Sequence, residues 1–147
     1  ALIFGTIIII TGIKILKETT SHLMDEADFK LIKQFRNLIK RNKSDEWIDI
    51  HNFKLVKYGN AYHINCDLVL PYFLNLAEAH NEGEKLKALV VENFPEEIIF
   101  HLHIDECFKL YCKNCKQKGC PGRQNEFVEE ADFDLKKFIS EKPEDKI

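Results

Sequence analysis

Two segments of the chain alternate apolar and polar residues, and this alternation constrains the fold more than any other feature. The apolar positions are Tyr62, Ile64, Cys66 and Leu68 in the first segment, and Ile98, Phe100, Leu102 and Ile104 in the second. Residues two apart on a strand point to the same side of a sheet. Each segment therefore predicts a strand with one face toward the core and one polar face. A further strand is predicted over residues 48–58, joined to the next by a turn at Gly59 and Asn60.

Helices are predicted on both sides of these strands. Residues 29–39 repeat apolar side chains every three or four positions, and residues 74–94 form a long helical segment that ends before Pro95. A short helix is also predicted over residues 126–139. The order α-β-β-α-β predicts an α+β sandwich in which two helices cover one face of a three-stranded sheet.

The chain opens with an apolar run, in which Lys14 is the first charged residue. As a helix this run spans roughly 20 Å, whereas the hydrocarbon core of a bilayer is about 30 Å thick. It is therefore too short to cross a membrane as it stands. We interpret it as the truncated end of a transmembrane helix, with a buried element of a soluble core as the alternative. The lysines that follow predict that the rest of the chain is cytoplasmic.

Acidic residues concentrate in the middle of the chain. The formal net charge is −3, from 21 basic and 24 acidic side chains, but residues 44–106 alone carry a net charge of −8. A nucleic-acid-binding domain is normally strongly basic, so the composition argues against a nucleic acid as partner. An acidic segment repels itself until counter-charges bind, which favours cations as ligands.

Histidines and carboxylates lie on the polar faces of the predicted strands. This ligand set is typical of sites for zinc, and it also accepts iron, cobalt, manganese or cadmium. His103 and Asp105, two residues apart, share one face of their strand. The same pattern is also typical of a polar sheet face in contact with solvent. The predicted metal ligands are His51, Asp67, His80, His101, His103 and Asp105.

Four of the five cysteines follow the last predicted strand at short intervals. They are Cys107, Cys112, Cys115 and Cys120. Thiols clustered in this way are typical of a closed, tetrahedral structural zinc site. An iron–sulfur cluster, disulfides and unmetallated thiols are the alternatives. The fifth cysteine, Cys66, is predicted to pack in the core.

Several short segments match a known family in both identity and spacing. They are Leu23-Met24-Asp25, Ile50-His51-Asn52-Phe53, Gly59, Leu76-Ala77-Glu78-Ala79-His80 and His103-Ile104-Asp105. Through them, residues 18–107 resemble the end of the last membrane helix and the C-terminal cytoplasmic domain of cation diffusion facilitator transporters. The resemblance implies a metallochaperone-like (ferredoxin-like) domain that forms a homodimer beneath the membrane and binds divalent cations. It places His51, His80, His103 and Asp105 at family ligand positions. Asp67 stands where some members have a histidine, and His101 is an additional histidine.

This resemblance also implies a domain organisation and a function. Residues 1–24 are expected to be the end of a transmembrane helix, residues 25–106 the cytoplasmic metal-binding dimerisation domain, and residues 107–147 a cysteine-rich extension. The full protein is expected to export divalent cations by proton-coupled antiport across an inner or plasma membrane, and not to be an enzyme. Two alternatives are a free-standing metal-binding or metal-sensing module, and a metal hydrolase with Glu78 or Glu106 as the base.

Overall fold

The computed structural model describes residues 2–23 and 29–141. A 3-10 turn follows the last strand at Lys109–Asn114. The other elements, in chain order, are α1 (Leu2–Leu23), α2 (Phe29–Arg41), β1 (Asp49–Tyr58), β2 (Ala61–Leu70), α3 (Leu76–Asn93), β3 (Glu97–Glu106) and α4 (Leu135–Ile139). From α2 to β3, this order confirms the α-β-β-α-β fold predicted from the sequence.

The three strands form one mixed sheet in the order β1-β2-β3. β1 and β2 run antiparallel around the predicted Gly59 turn, where a backbone φ of 59° suits a residue without a side chain. β2 and β3 run parallel, because α3 carries the chain back along the sheet between them. The central strand β2 is thus hydrogen-bonded on both sides.

The hydrophobic core lies between one face of the sheet and the helices α2 and α3. Phe35 of α2 is fully buried, stacks on Phe94 at a ring-centroid distance of 3.9 Å, and lies 5.6 Å from the ring of Phe53. The predicted inward positions of β2 are confirmed, with Ile64, Cys66 and Leu68 buried and Tyr62 packed at the margin of the core. The two predicted helices therefore cover the predicted face.

Gly83 allows α3 to lie close to the sheet. A Cβ atom added at this position would stand 3.0 Å from Cδ2 of Leu102 and 3.2 Å from Cδ1 of Ile104. Both of those side chains belong to β3, so the missing side chain of Gly83 reduces the spacing between α3 and β3.

The predicted helix over residues 126–139 is wrong in its extent, because only Leu135–Ile139 are helical. The backbone N–H groups of Val128 and Glu129 instead donate to the carbonyl of Lys113. These bonds tie the segment to the 3-10 turn and leave it irregular. After it, Phe138 of α4 packs on Phe53 at 4.6 Å and closes one end of the core.

The helix α1 exposes most of its apolar side chains, including Ile3, Phe4 and Ile8. Among the residues that the structure describes, no helix is both long enough and apolar enough to cross a membrane. The acidic run at residues 25–28, which predicts the start of the second helix because acidic side chains suit a helix N-terminus, lies outside the described residues.

Replacing the central ring of the core should destabilise the domain strongly. Phe35→Ala removes a fully buried ring that contacts two other aromatic rings, so we expect a loss of about 3–5 kcal/mol in the free energy of unfolding. Phe29→Ala, in the same helix at a side chain that is 58% exposed, is the matched control and should cost about 0.5 kcal/mol or less. Urea denaturation followed by circular dichroism measures both, and equal losses would contradict this packing.

Candidate metal centre

The face of the sheet opposite the helices carries a row of three ligand-type side chains. In the strand register, His51 of β1 pairs with Asp67 of β2, and Asp67 pairs with His103 of β3. Cross-strand partners project to the same side of a sheet. Residues that are far apart in the chain therefore stand next to one another.

A second row lies beside the first and adds two more carboxylates. Val69 of β2 pairs with Asp49 on one side and with Asp105 on the other. Asp49 is two residues from His51, and Asp105 is two residues from His103, so both share the face of the first row. Val69 between them is fully buried, which keeps the centre of this row apolar.

A bulge in β1 directs His51 to this face. Asn52 has a positive φ of 52°, and the register shifts between His51 and Lys54. Asparagine tolerates this left-handed conformation better than most residues. In a regular strand His51 and Phe53 would share a face, but the bulge sends Phe53 into the core and leaves His51 on the other side. The Asn52 amide also donates to Oδ2 of Asp67 at 3.0 Å, which fixes the carboxylate.

His51, Asp67 and Asp105 form a compact group of potential metal ligands. One donor atom from each lies within 4.8 Å of the others, and this is the sole such group within residues 2–23 and 29–141. Nε2 of His51 is 3.8 Å from Oδ2 of Asp67. His103 stands at the outer edge, where its Nδ1 is 3.5 Å from Oδ1 of Asp105 and 3.9 Å from Oδ1 of Asp67.

The inner part of this site is buried without its hydrogen bonds. His51 and Asp49 are each 1% exposed, and neither the ring nitrogens of His51 nor the carboxylate oxygens of Asp49 have a hydrogen-bond partner. Nδ1 of His51 lies 3.7 Å from Oδ2 of Asp49, beyond hydrogen-bond range. Leaving buried polar atoms unpaired costs about 1–3 kcal/mol each. A cation ligated by His51 would use one of these nitrogens and offset the nearby carboxylates.

The donor set fits a divalent metal ion. One imidazole and two carboxylates are ligands that zinc and other first-row divalent ions accept, and His103 is placed to add a second imidazole. Asp49, on the far side of the His51 ring, is placed to orient the ring as carboxylates do behind metal-bound histidines. The Nζ of Lys137 lies 4.0 Å from Oδ1 of Asp49, too far for a hydrogen bond.

The two remaining predicted ligands, His80 and His101, lie outside this group. His101 is exposed one row further along the sheet, beside Asn65, and its ring is 6.2 Å from that of His63. His80 is exposed on α3. The roles predicted for these histidines stay predictions. In the same helix, the carboxylate of Glu78 accepts from the backbone of Asn75 as part of a capping box, so it is engaged in starting α3.

The cysteine segment, residues 107–120, continues from β3 and packs on the ligand-bearing face. Tyr111 and Cys115 are buried there against Ile48 and Val69, and Cys107 packs beside them. This end of the face is therefore covered by protein rather than open to solvent. No thiol is engaged in a disulfide among the described residues. Cys66 is buried in the core as predicted, and burial raises the pKa of its thiol well above the usual value.

Two residues of the site, Asp49 and Asn52, were not predicted from the sequence. Asp49 gave a signal, because it alternates with His51 on the same strand, but a single acidic residue at the start of a strand is usually exposed. Asn52 gave none, since nothing local indicates a bulge. The register and the bulge are what make both residues part of the site.

Comparisons with known proteins agree with this fold. Residues 27–107 match the family model of the cation efflux protein cytoplasmic domain. The chain is similar to two structures of CzrB, which is named as a candidate zinc transporter. The first, a zinc form, is 16% identical with a TM-score of 0.52, covering 56% of this chain and 91% of the other. The second is also 16% identical, with a TM-score of 0.50 and coverage of 54% and 95%. At this identity the likeness shows a shared fold. No curated protein matches the chain significantly in sequence.

Removing the charge behind His51 should weaken metal binding without removing a ligand. Asp49→Asn keeps the size of the side chain but removes the carboxylate that orients the His51 ring. We therefore expect the affinity for Zn²⁺ to fall about 10–100-fold. Asp132→Asn makes the same chemical change at an exposed carboxylate bonded to Lys40 and should leave the affinity unchanged. Calorimetric titration with Zn²⁺ measures both, and an Asp49→Asn affinity equal to that of the control would contradict the role of Asp49.

Proposed function

Because the chain belongs to the cation efflux protein family and contains its cytoplasmic domain at residues 27–107, we propose that it is the regulatory domain of a divalent-cation efflux transporter. The observation that carries this proposal is the convergence of His51, Asp67 and Asp105 from all three strands. A divalent ion bound there would report the cation concentration on the side of the membrane from which the ion is exported.

Electrostatics supports a sensing role for this site. Three aspartates lie within two adjacent rows of the sheet, and Asp49 is buried with no hydrogen bond to its carboxylate. Bringing like charges together in a partly buried site is unfavourable until a cation binds. The sheet that holds these ligands is anchored on its other face by a core of aromatic rings. Cation binding would therefore reduce the electrostatic repulsion between carboxylates whose positions the fold has already set.

We further propose that the domain acts as a homodimer. In this arrangement the cation would favour one relative placement of the two copies and so shift the transporter toward its exporting state, because a ligand shifts a conformational equilibrium by its differential affinity for the two states. The position of His103 at the outer edge of the site supports this. Its side chain is 69% exposed, so a second copy or a bound ion can reach the ring.

We also propose how the chain is placed relative to the membrane. Residues 1–24 would include the end of a transmembrane helix, residues 25–106 the metal-binding dimerisation domain, and residues 107–147 the cysteine-rich extension. Cation export in exchange for protons would be carried out by membrane helices of the full protein. In this scheme the exposed apolar side chains of α1 would be covered by lipid and by neighbouring helices.

Loss of a direct ligand should reduce metal affinity more than loss of Asp49. Asp105→Asn removes a charged ligand but keeps the volume of the side chain, so we expect a decrease in Zn²⁺ affinity of about 100-fold or more. Asp45→Asn is the matched control, because Asp45 is 71% exposed and pairs with Lys116 outside the site. The measurement is calorimetric titration of the folded variants, and unchanged affinity and stoichiometry in Asp105→Asn would refute the site.

Zinc should also change how two copies associate. At about 100 times its dissociation constant, a cation that binds a single state stabilises that state by about 2.7 kcal/mol. We therefore expect Zn²⁺ to give a more compact or more stable dimer in small-angle scattering and light scattering, and Asp105→Asn to lose this response. A chain that stays monomeric with and without zinc would contradict the dimer.

A further inference from the structure

The cysteine segment brings three thiols to one cavity. Cys107, Cys112 and Cys120 line a cavity of about 350 Å³ beside Tyr72, where β2 and β3 end. Cys107 lines this cavity and also packs against the buried cluster that contains Cys115. All four thiols of the segment therefore surround the end of β3.

Hydrogen bonds from one arginine hold the segment in this shape. The guanidinium of Arg123 donates to the carbonyls of Cys115 and Gln117, each at 2.8 Å, and to the carbonyl of Cys112 at 3.1 Å. The Asn125 amide adds a bond to the carbonyl of Lys109 at 3.1 Å. The backbone around the thiols is thus tied together by side chains, and these bonds use backbone carbonyls rather than the thiols.

The chemistry of this cluster indicates which kind of ligand suits it. Three thiols around one cavity, together with Cys115 packed near Cys107, match the ligand number of a tetrahedral thiolate site. The neighbouring site on the sheet instead offers imidazole and carboxylate. The segment also carries four lysines, at positions 109, 113, 116 and 118. Lys116 pairs with Asp45 and Glu130, and the charges of the other three can offset thiolates. We propose that Cys107, Cys112, Cys115 and Cys120 bind a thiophilic divalent cation such as Zn²⁺, as a second metal site that is separate from the His51 site.

Binding at this site has a structural consequence. No three of these thiols lie within 4.8 Å of one another, in the part of the chain that the structure describes. Zinc–sulfur bonds are about 2.3 Å long, so the thiols must move closer together around the ion. The ion displaces the thiol protons to solvent as the thiolates bind. The backbone of Cys107 is fixed by its bond to Leu70 and that of Cys112 by its bond to Arg123, so the movement falls on side-chain rotations and on the loop that carries Cys120.

The two proposed sites share one strand. Asp105 and Cys107 are two residues apart at the end of β3, and Val69 lies between Asp105 and Asp49 while also packing under Cys115. A metal-bound cysteine segment would therefore hold in place the end of β3, and also Tyr111 and Cys115, which pack on Val69. The extension would then stabilise the first site without supplying a ligand to it.

Cobalt titration of the reduced, full chain tests the second site. Co²⁺ bound by thiolates gives an intense ligand-to-metal charge-transfer absorption in the near ultraviolet, which imidazole and carboxylate ligands do not give. We expect this absorption in the wild-type chain, and we expect Zn²⁺ to abolish it. The double variant Cys112→Ser and Cys120→Ser should lose the absorption together with one equivalent of bound metal per chain. Cys66→Ala, at a cysteine buried in the core, is the control and should keep both.

The cobalt spectra distinguish a failure of the cysteine site from a failure of the His51 site on which the proposed function depends. Asp105→Asn should keep the charge-transfer absorption, because it alters only the first site. Wild-type chain that binds Co²⁺ without this absorption would overturn the second site and leave the first intact. Disulfides that persist in the purified chain, or stoichiometric iron with labile sulfide, would also overturn it. The wild-type spectrum decides the question even if the double variant does not fold.

Discussion

The central strand β2 is hydrogen-bonded to a neighbour on each side, and the rest of the domain depends on this pairing. With β2 fixed, its alternate side chains divide the sheet into a face that must be covered and a face that carries charge. The helices α2 and α3 cover the first face, where Phe35 and Phe94 stack. The second face is then the surface on which β1 and β3 can present ligands, because both strands are in register with β2.

Two other features support the charged face. The aromatic core on the opposite side holds the strands firmly, so the positions of His51 and Asp67 are set before any ion arrives. The cysteine segment covers the end of the face around Val69, and His51 and Asp49 are buried on the same face. Burial makes the Asp49 carboxylate, which accepts no hydrogen bond, costly to keep charged, and that cost favours cation binding. The apolar packing and the affinity for a cation are thus two results of the same arrangement.

The sequence predicted the regular parts of the fold well, because their signals are local. Alternation in β2 and β3 identified the inward and outward residues, and Gly59 identified the turn. The helix predicted over residues 126–139 was wrong because its hydrogen bonds go to Lys113, a partner that no local pattern reveals. A glycine inside a helix shows no local sign of its role, but the structure shows that Gly83 allows α3 to approach Leu102 and Ile104.

The sequence by itself determined which residue types are available and which face of β2 and β3 they occupy, since the faces of a regular strand follow from a period of two residues. It did not determine which of the six predicted His and Asp ligands meet. That was decided by the register of three strands and by the bulge at Asn52, which together bring His51, Asp67 and Asp105 within reach of one ion. Register depends on hydrogen bonds between segments that are distant in the chain, so only the tertiary structure could select these three and add Asp49 behind them.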